Sequence, residues 1–186
     1  MKTAIFGGTF DPIHRAHLIV AREAADAFAL DRVLFIPAAN PPHKEAGASF
    51  EDRYKMVELA CAGEPRFVPS RLEEGREKSY SIHTIERVKS QPDAGQVFFV
   101  IGSDAFAEIR SWYRWEDVVR AVEFIVVSRP GHTYSIPPGA RVHRLETVAL
   151  PVSSSETRQA LGRGETPEEL PPAVAEYIHE HALYRG

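Results

Sequence analysis

Residues 2–18 read Lys2-Thr-Ala-Ile-Phe-Gly-Gly-Thr-Phe-Asp-Pro-Ile-His-Arg-Ala-His-Leu18. The apolar run at 3–6 predicts a buried strand. Gly7-Gly8 predicts a turn where the backbone can approach a ligand closely, because glycine lacks Cβ and permits positive φ. His14 and His17 then share one face at the start of a helix. Imidazole N–H groups beside the positive end of a helix favour a bound phosphate, whereas a metal pair lacks a third ligand at a convincing spacing.

Two common nucleotide-binding motifs are missing from this stretch. It has neither the G-x-G-x-x-G of dinucleotide-binding folds nor the Gly-Lys-Ser/Thr that closes a Walker loop. An NAD-dependent oxidoreductase is therefore disfavoured, and the stretch predicts a different kind of nucleotide phosphate pocket.

Composition narrows the class of protein further. With 186 residues, 44% of them hydrophobic and 26% charged, the chain fits one soluble globular domain spanning residues 1–186. A net charge of −4 argues against a nucleic-acid partner, which normally meets a basic surplus. The start is too poor in apolar residues for a signal peptide, and the strongest apolar run, 97–101, is far too short to span a bilayer. We therefore expect a cytoplasmic protein with no membrane contact.

The chain contains one cysteine, Cys61. It cannot form an internal disulfide, which suggests a reducing compartment. Because it lies in a predicted helix at 50–62, a buried and inert thiol is favoured over a reactive one.

Short apolar runs alternate with segments of helical spacing. The runs rich in β-branched and aromatic residues predict strands at 3–6, 33–36, 67–68, 97–101 and 124–127. Helices are predicted between them and, after Pro171-Pro172, at 173–183. This rhythm predicts an α/β fold, a parallel sheet with helices on both faces in three α/β/α layers.

Ligands of such sheets bind outside the carboxyl ends of the strands. The polar segments that follow predicted strands are 7–17, 37–44, 102–104 and 128–131. Four such loops predict a composite site along one edge of the sheet.

Three features have both a structural and a functional interpretation. Lys44 follows two prolines, so it is either plain surface or a cation held by a rigid loop. Asp104 follows a predicted strand, where it could accept from ribose hydroxyls or cap a helix. Trp112 and Trp115 are most simply core residues, and stacking on a planar ligand is the alternative.

Two further segments predict anion sites at helix starts. Ser153, Ser154 and Ser155 precede Glu156 as in a capped helix, and Arg158 lies on the same face as Ser154. Hydroxyls, free amides and an arginine together suit a second phosphate site. Residues 79–81 (Ser-Tyr-Ser), before a predicted helix, offer a third.

Taken in order, these segments resemble those of bacterial nicotinate mononucleotide adenylyltransferases, of the nucleotidyltransferase superfamily with its H-x-G-H signature. The resemblance covers almost the whole chain and implies a Rossmann-like doubly wound sheet. The matching segments are residues 7–14, 36–38, 41–44, 99–104, 112–115, 128–131 and 152–158, with the ending Tyr177-Ile178 and Leu183-Tyr184.

The resemblance also implies roles in transferring the adenylyl group of ATP to nicotinate mononucleotide. His14, His17, Lys44 and Arg158 would act on the ATP phosphates as the catalytic group. Further ATP contacts are implied for Gly7, Gly8, Thr9, Phe10, Ile101, Gly102, Arg129, Ser153, Ser154 and Ser155. Asp104, Trp112, Tyr80 and Ser81 would bind the mononucleotide through its ribose, pyridine ring and carboxylate.

The implied reaction needs no general base, because the attacking phosphate has a second pKa of about 6 and is largely ionised at neutral pH. The sequence contains no cluster of carboxylates suited to a dedicated metal site, so Mg²⁺ is expected to arrive bound to ATP. Nicotinamide mononucleotide, phosphopantetheine or flavin mononucleotide stay open as acceptors, and a non-catalytic nucleotide-sensing module is the alternative from another class. A homo-oligomer is compatible with the sequence.

Two positions depart from the superfamily pattern. Ala16 replaces the glycine of the histidine signature, which adds one methyl group and favours the helix. Ser155 replaces the usual threonine and keeps its hydroxyl.

Overall fold

The strands form one parallel sheet. A computed structural model describes residues 1–39, 47–75, 80–148 and 153–185. Within these ranges the strands are β1 (Lys2–Gly8), β2 (Arg32–Pro37), β3 (Phe67–Pro69), β4 (Gln96–Gly102), β5 (Glu123–Ser128) and β6 (Arg141–Glu146). They lie in the order β3-β2-β1-β4-β5-β6, and all neighbours are parallel. This is the doubly wound order expected of a Rossmann-like sheet.

The helices connect the strands at the predicted places. They are α1 (Arg15–Phe28), α2 (Phe50–Cys61), α3 (Ser81–Lys89), α4 (Ser103–Ala107), α5 (Trp115–Ala121), α6 (Ser154–Gly162) and α7 (Pro172–Glu180). α2 begins after Ser49, whose Oγ accepts from the backbone N–H of Asp52 at 3.1 Å. Among the described residues, no helix combines the length and apolarity needed to cross a bilayer.

Apolar side chains cover both faces of the sheet. Alternate residues of one strand serve the two faces: Ala4 joins the core that includes α1, α2 and α7, whereas Ile5 joins the core that includes α3 and α5. Burial on both sides explains why the central strands are continuous apolar runs. Cys61 lies in the first core, where burial raises the pKa of its thiol to about 12, in agreement with the inert thiol expected.

The structure differs from the sequence prediction in one missed strand and in the end of the last helix. The strand β6 was not predicted, because its residues (Arg-Val-His-Arg-Leu-Glu) lie at the edge of the sheet and no apolar run marks them. The last helix was predicted to reach residue 183 but ends at Glu180, and the backbone turns left-handed at Ala182 (φ 52°).

The candidate loops leave the sheet at the point where the strand order reverses. Phe6 of β1 pairs with Val100 of β4, so both strands end at neighbouring positions. Gly102 of β4 pairs in turn with Val127 of β5. Ligands of doubly wound sheets bind in the crevice at this switch point.

Candidate active site

The loop after β1 begins at two glycines that still belong to the strand. Gly7 pairs with Ile36 and Gly8 with Pro37 of β2. The predicted turn at Gly7-Gly8 was therefore wrong, and neither glycine uses the positive φ that it permits. The left-handed residue of this loop is Phe10, with φ 51°. Gly7 is exposed, and a Cβ built on it would meet no closer protein atom than Ile36 O at 3.9 Å. The glycine therefore leaves open space beside the backbone.

His14 and His17 form a stacked pair at the start of α1. His14 is the N-cap, and its backbone N–H donates to Nδ1 of His17 at 3.1 Å. The two ring centroids lie 3.9 Å apart. Because Nδ1 of His17 accepts this bond, the neutral ring carries its proton on Nε2, which is then a donor. The predicted N–H donor at His17 thus has a structural cause.

Burial keeps both imidazoles uncharged. Desolvation lowers the pKa of His14 to about 4, against a smaller opposing effect of Glu169. It lowers the pKa of His17 well below the ordinary value of 6.5, and the neighbouring His14 adds to this effect. Nδ1 of His14 is buried and has no hydrogen-bond partner among the described residues, which costs about 1–3 kcal/mol. An arriving anion would stabilise the protonated forms and raise both pKa values.

The start of α6 meets the same loop. Ser153 caps α6 by accepting from the backbone N–H of Glu156 at 3.1 Å. Ser154 Oγ donates to the carbonyl of Pro12 at 3.0 Å, and Arg158 Nη1 donates to the carbonyl of Asp11 at 2.8 Å. Both side chains thus lie on one face of α6, as their spacing predicted, and that face meets the loop between β1 and α1. The helix start predicted as a second anion site therefore lies beside the loop predicted as the first.

Arg53 was missed by the sequence analysis. Only 1% of it is exposed, and its guanidinium donates to the carbonyls of Thr9 at 2.9 Å, Ala38 at 2.7 Å and Ala48 at 3.2 Å. These bonds tie the loop after β1 to the segments after β2. Its helical spacing could have revealed its burial, because Arg53 lies one turn before Met56 on the buried face of α2.

Asp11 also received no predicted role. It is 2% exposed, and its carboxylate accepts from the backbone N–H groups of Gly47 at 2.5 Å and Ala48 at 3.1 Å. The hydroxyl of Tyr184 donates to the same carboxylate at 2.5 Å. These partners are 36, 37 and 173 positions away, so local pattern could not reveal them.

A second group of predicted site residues lies at the ends of β4 and β5. Ile101 is buried, whereas Gly102 and, one residue beyond β5, Arg129 are exposed at adjacent strand ends. Asp104 is exposed in the first turn of α4, but Gly102 occupies the N-cap position. Capping therefore does not explain the carboxylate of Asp104.

Tyr80 and Ser81 begin α3, and the ring of Tyr80 contacts a neighbour of Trp112 in the sequence. Tyr80 is the N-cap of α3 and Ser81 its first residue, so free backbone N–H groups are expected there. The ring of Tyr80 contacts that of Tyr113, the neighbour of Trp112, at 4.6 Å between centroids. Trp112 is half-buried and packs edge-on against Phe99 at 5.9 Å. Trp112 and Trp115 both pack against the core on this face, as their simpler interpretation requires.

Lys44, together with Pro41, Pro42 and His43, lies outside the described residues. Its approach to the phosphates stays a prediction. In the described ranges, no group of three or more His, Cys, Asp or Glu side chains is arranged to hold a metal ion.

The cytidylyltransferase-like family matches this chain over residues 5–160, a range that contains both histidines and Arg158. The chain belongs to the cytidylyltransferase-like family. The membership confirms the nucleotidyltransferase class expected from the motifs.

Curated relatives of this cytidylyltransferase-like chain carry one name. A protein of Solibacter usitatus named nicotinate-nucleotide adenylyltransferase is 60% identical over 188 residues, which cover 99% of this chain and 100% of the relative. One of Thermus thermophilus with the same name is 39% identical over 187 residues, covering 100% of both. These matches confirm the narrower family that the resemblance indicated.

Solved structures agree on the fold. The nicotinic acid mononucleotide adenylyltransferase of Plasmodium falciparum, complexed with NaAD, superposes with a TM-score of 0.82 at 21% identity, covering 98% of this chain and 97% of that one. At this identity the likeness supports the doubly wound fold alone.

Both departures from the superfamily pattern lie inside helices. Ala16 belongs to α1 and is 7% exposed, so its methyl group is accommodated by the protein. Ser155 belongs to α6 and is exposed.

Proposed function

We propose that this chain transfers the adenylyl group of ATP to nicotinate mononucleotide, giving nicotinate adenine dinucleotide and pyrophosphate in NAD biosynthesis. The observation that carries the proposal is the meeting of two helix starts at one loop. His14 and His17 begin α1, and Arg158 of α6 binds the carbonyl of Asp11 in the same loop. Two helix N-termini, imidazole donors and an arginine are suited to a chain of phosphates. The names of the curated relatives support the acceptor.

The phosphates of ATP are held between α1 and α6. His14 and His17 donate to them, and Arg158 takes the β- and γ-phosphates with Lys44 as a second cation. The backbone beside these groups belongs to Gly7, Gly8, Thr9 and Phe10 on one side and to Ser153, Ser154 and Ser155 on the other.

The two bases lie beside the ends of β4 and β5. Ile101, Gly102 and Arg129 surround adenine, since adjacent strand ends bring them together. Asp104, exposed and free of a capping role, accepts from ribose hydroxyls of the mononucleotide. Trp112 stacks on the pyridine ring, and the N–H groups of Tyr80 and Ser81 bind its carboxylate.

The chemistry follows from the charges. A phosphate oxygen of the mononucleotide attacks the α-phosphorus of ATP in line, while the bond from the α-phosphorus to the bridging oxygen breaks and pyrophosphate leaves. The attacking oxygen is already largely ionised at neutral pH, so the site must position and stabilise rather than remove a proton. Donors on neutral histidines and the charge of Arg158 meet the charge that develops on the phosphates, and no covalent enzyme intermediate forms.

Mg²⁺ would enter with ATP. Asp11, the buried carboxylate of this loop, is engaged by two backbone N–H groups and the hydroxyl of Tyr184, which leaves it ill suited as a metal ligand. Mg²⁺ keeps several waters and binds substrate phosphates in such sites, so the protein needs no cage of its own.

The acceptor is tested by supplying Mg-ATP with each mononucleotide separately and measuring pyrophosphate release. We expect nicotinate mononucleotide to give by far the highest kcat/KM, because the start of α3 offers N–H donors to a carboxylate. Release with nicotinamide mononucleotide, phosphopantetheine or flavin mononucleotide that exceeds it would overturn the choice of acceptor. ATP binding with no release for any acceptor would support a nucleotide-sensing module instead.

The cellular and assembly predictions rest on the sequence. A cytoplasmic location agrees with the single buried cysteine, and a homo-oligomer stays compatible with the chain.

A further inference from the structure

Tyr184, near the end of the chain, reaches the phosphate half of the site. Its hydroxyl donates to Asp11 Oδ1 at 2.5 Å, across 173 positions of sequence. Burial and this hydrogen bond raise the pKa of the phenol, so the hydroxyl stays protonated and a donor at any physiological pH. The contact is between a fixed donor and a charged acceptor, the stronger kind of hydrogen bond.

The backbone bends sharply to bring Tyr184 there. After α7 the chain adopts left-handed φ at Ala182 (52°) and again at Tyr184 (60°). Left-handed φ is sterically unfavourable for residues that carry a side chain. Between them, the N–H of Leu183 donates to the carbonyl of Ile178 at 3.0 Å, and its side chain packs against the core. Strain of this kind persists where surrounding contacts determine the conformation.

The ring of Tyr184 packs beside Arg158. A Cβ built on Gly47 would lie 3.0 Å from Tyr184 Cε1 and 3.3 Å from Arg158 Cδ. The tyrosine ring and the arginine stem therefore crowd the same glycine. Arg158 Nη1 in turn donates to the carbonyl of Asp11, whose carboxylate lies 3.9 Å from the same nitrogen.

We propose that Tyr184 is a positioning residue for the transfer reaction: it holds Asp11 and the stem of Arg158 so that the guanidinium is in place when the triphosphate binds. The inference rests on the proposed function, in which Arg158 holds the β- and γ-phosphates. Tyr184 itself touches no reacting atom. Its effect is preorganisation, which lowers the cost of ordering a long arginine on its ligand.

The test compares Tyr184→Phe with a matched control, Tyr177→Phe. The Tyr177 hydroxyl donates to Asp52 Oδ1 at 2.7 Å and likewise ties the C-terminal segment to the body, through α2 rather than through Asp11. Each variant keeps its ring and loses one hydroxyl–carboxylate bond. We expect Tyr184→Phe to weaken ATP binding and to raise the KM for ATP about five- to tenfold, the scale of one typical intramolecular hydrogen bond. Tyr177→Phe should leave both unchanged.

ATP affinity is measured by calorimetric titration with Mg-ATP alone, and steady-state kinetics add the KM for each substrate. The KM for the mononucleotide should stay unchanged in Tyr184→Phe while the KM for ATP rises. A general loss of folded enzyme would instead lower the apparent kcat and leave both KM values unchanged. Equal ATP affinity in wild type and Tyr184→Phe would overturn the positioning role. The titration needs no acceptor, so a wrong acceptor would show in turnover while this result still stood.

Discussion

At the scale of single residues, the central observation is a pair of histidines kept neutral. His14 and His17 stack at the start of α1, and burial lowers the pKa of each. A neutral His17 that accepts the N–H of His14 on Nδ1 has its donor on Nε2. The pair can therefore donate to phosphates without the cost of burying two positive charges before ATP arrives.

This pair predicts a pH-dependent stability. An unfolded histidine has a pKa of about 6.5, whereas folded His14 has one of about 4 and that of His17 is also far lowered. Below about pH 6.5 the unfolded chain binds protons that the folded chain does not, so the free energy of unfolding falls as pH falls. The slope is up to about 1.4 kcal/mol per pH unit for each histidine.

Urea unfolding from about pH 7 to about pH 5 measures this slope, above the range where most carboxylates titrate. Replacing both histidines by glutamine should flatten it. The matched control is His132→Gln, at an exposed position, which should leave it unchanged. A double variant with the wild-type slope would show that the histidines are not the titrating groups.

Trp112 supports a second prediction. Its ring meets Phe99 edge-on and is half-buried, so part of the ring surface is available to a ligand. Trp112→Ala should weaken mononucleotide binding by roughly 1–3 kcal/mol, as base–aromatic stacking does, with little change in the KM for ATP. The same kinetics on Trp115→Ala serve as the control. An unchanged KM for the mononucleotide would remove Trp112 from the site.

At the scale of elements, α2 contributes more than a covering layer. Arg53 reaches from α2 to four backbone carbonyls, one in the loop after β1 and three in the connection between β2 and α2. Arg53→Met should lower the free energy of unfolding by about 2–4 kcal/mol, because it leaves those buried carbonyls unpaired. Lys55→Met, on the exposed side of the same helix, should change it little. Denaturant unfolding of both variants measures the difference. Equal stabilities would contradict a stabilising role for the hydrogen bonds of Arg53.

Sequence predicted the elements wherever burial leaves a periodic trace. β1, β2 and β4 are buried on both faces and show as apolar runs, whereas β6 at the edge carries alternating charges and was missed. Arg53 lay on the buried stripe of a helix that was correctly predicted, yet its carbonyl partners come from other segments. Local pattern gives the element, and tertiary contacts decide what its polar residues do.

At the scale of the whole molecule, α1 begins after β1 at the switch point of the sheet, and the start of α6 meets the same loop. The motif from Gly7 to His17 and the segment Ser153–Arg158 were each predicted as an anion site, and the structure brings the two segments together. That they bind phosphates stays a prediction. Asp11 and Tyr184 could not be predicted, since their contact exists only when the chain's two ends meet in the fold. The proposed function therefore requires the loop after β1 and the start of α6 to act together on one triphosphate.

The most direct test is the turnover of His17→Ala with Mg-ATP and nicotinate mononucleotide, followed by pyrophosphate release. Removing one preorganised donor from a charged transition state typically costs about 10²–10³ in kcat. We expect kcat of His17→Ala to fall by that factor, while circular dichroism and the unfolding transition still show a folded protein. Near-normal turnover in a folded His17→Ala enzyme would contradict it.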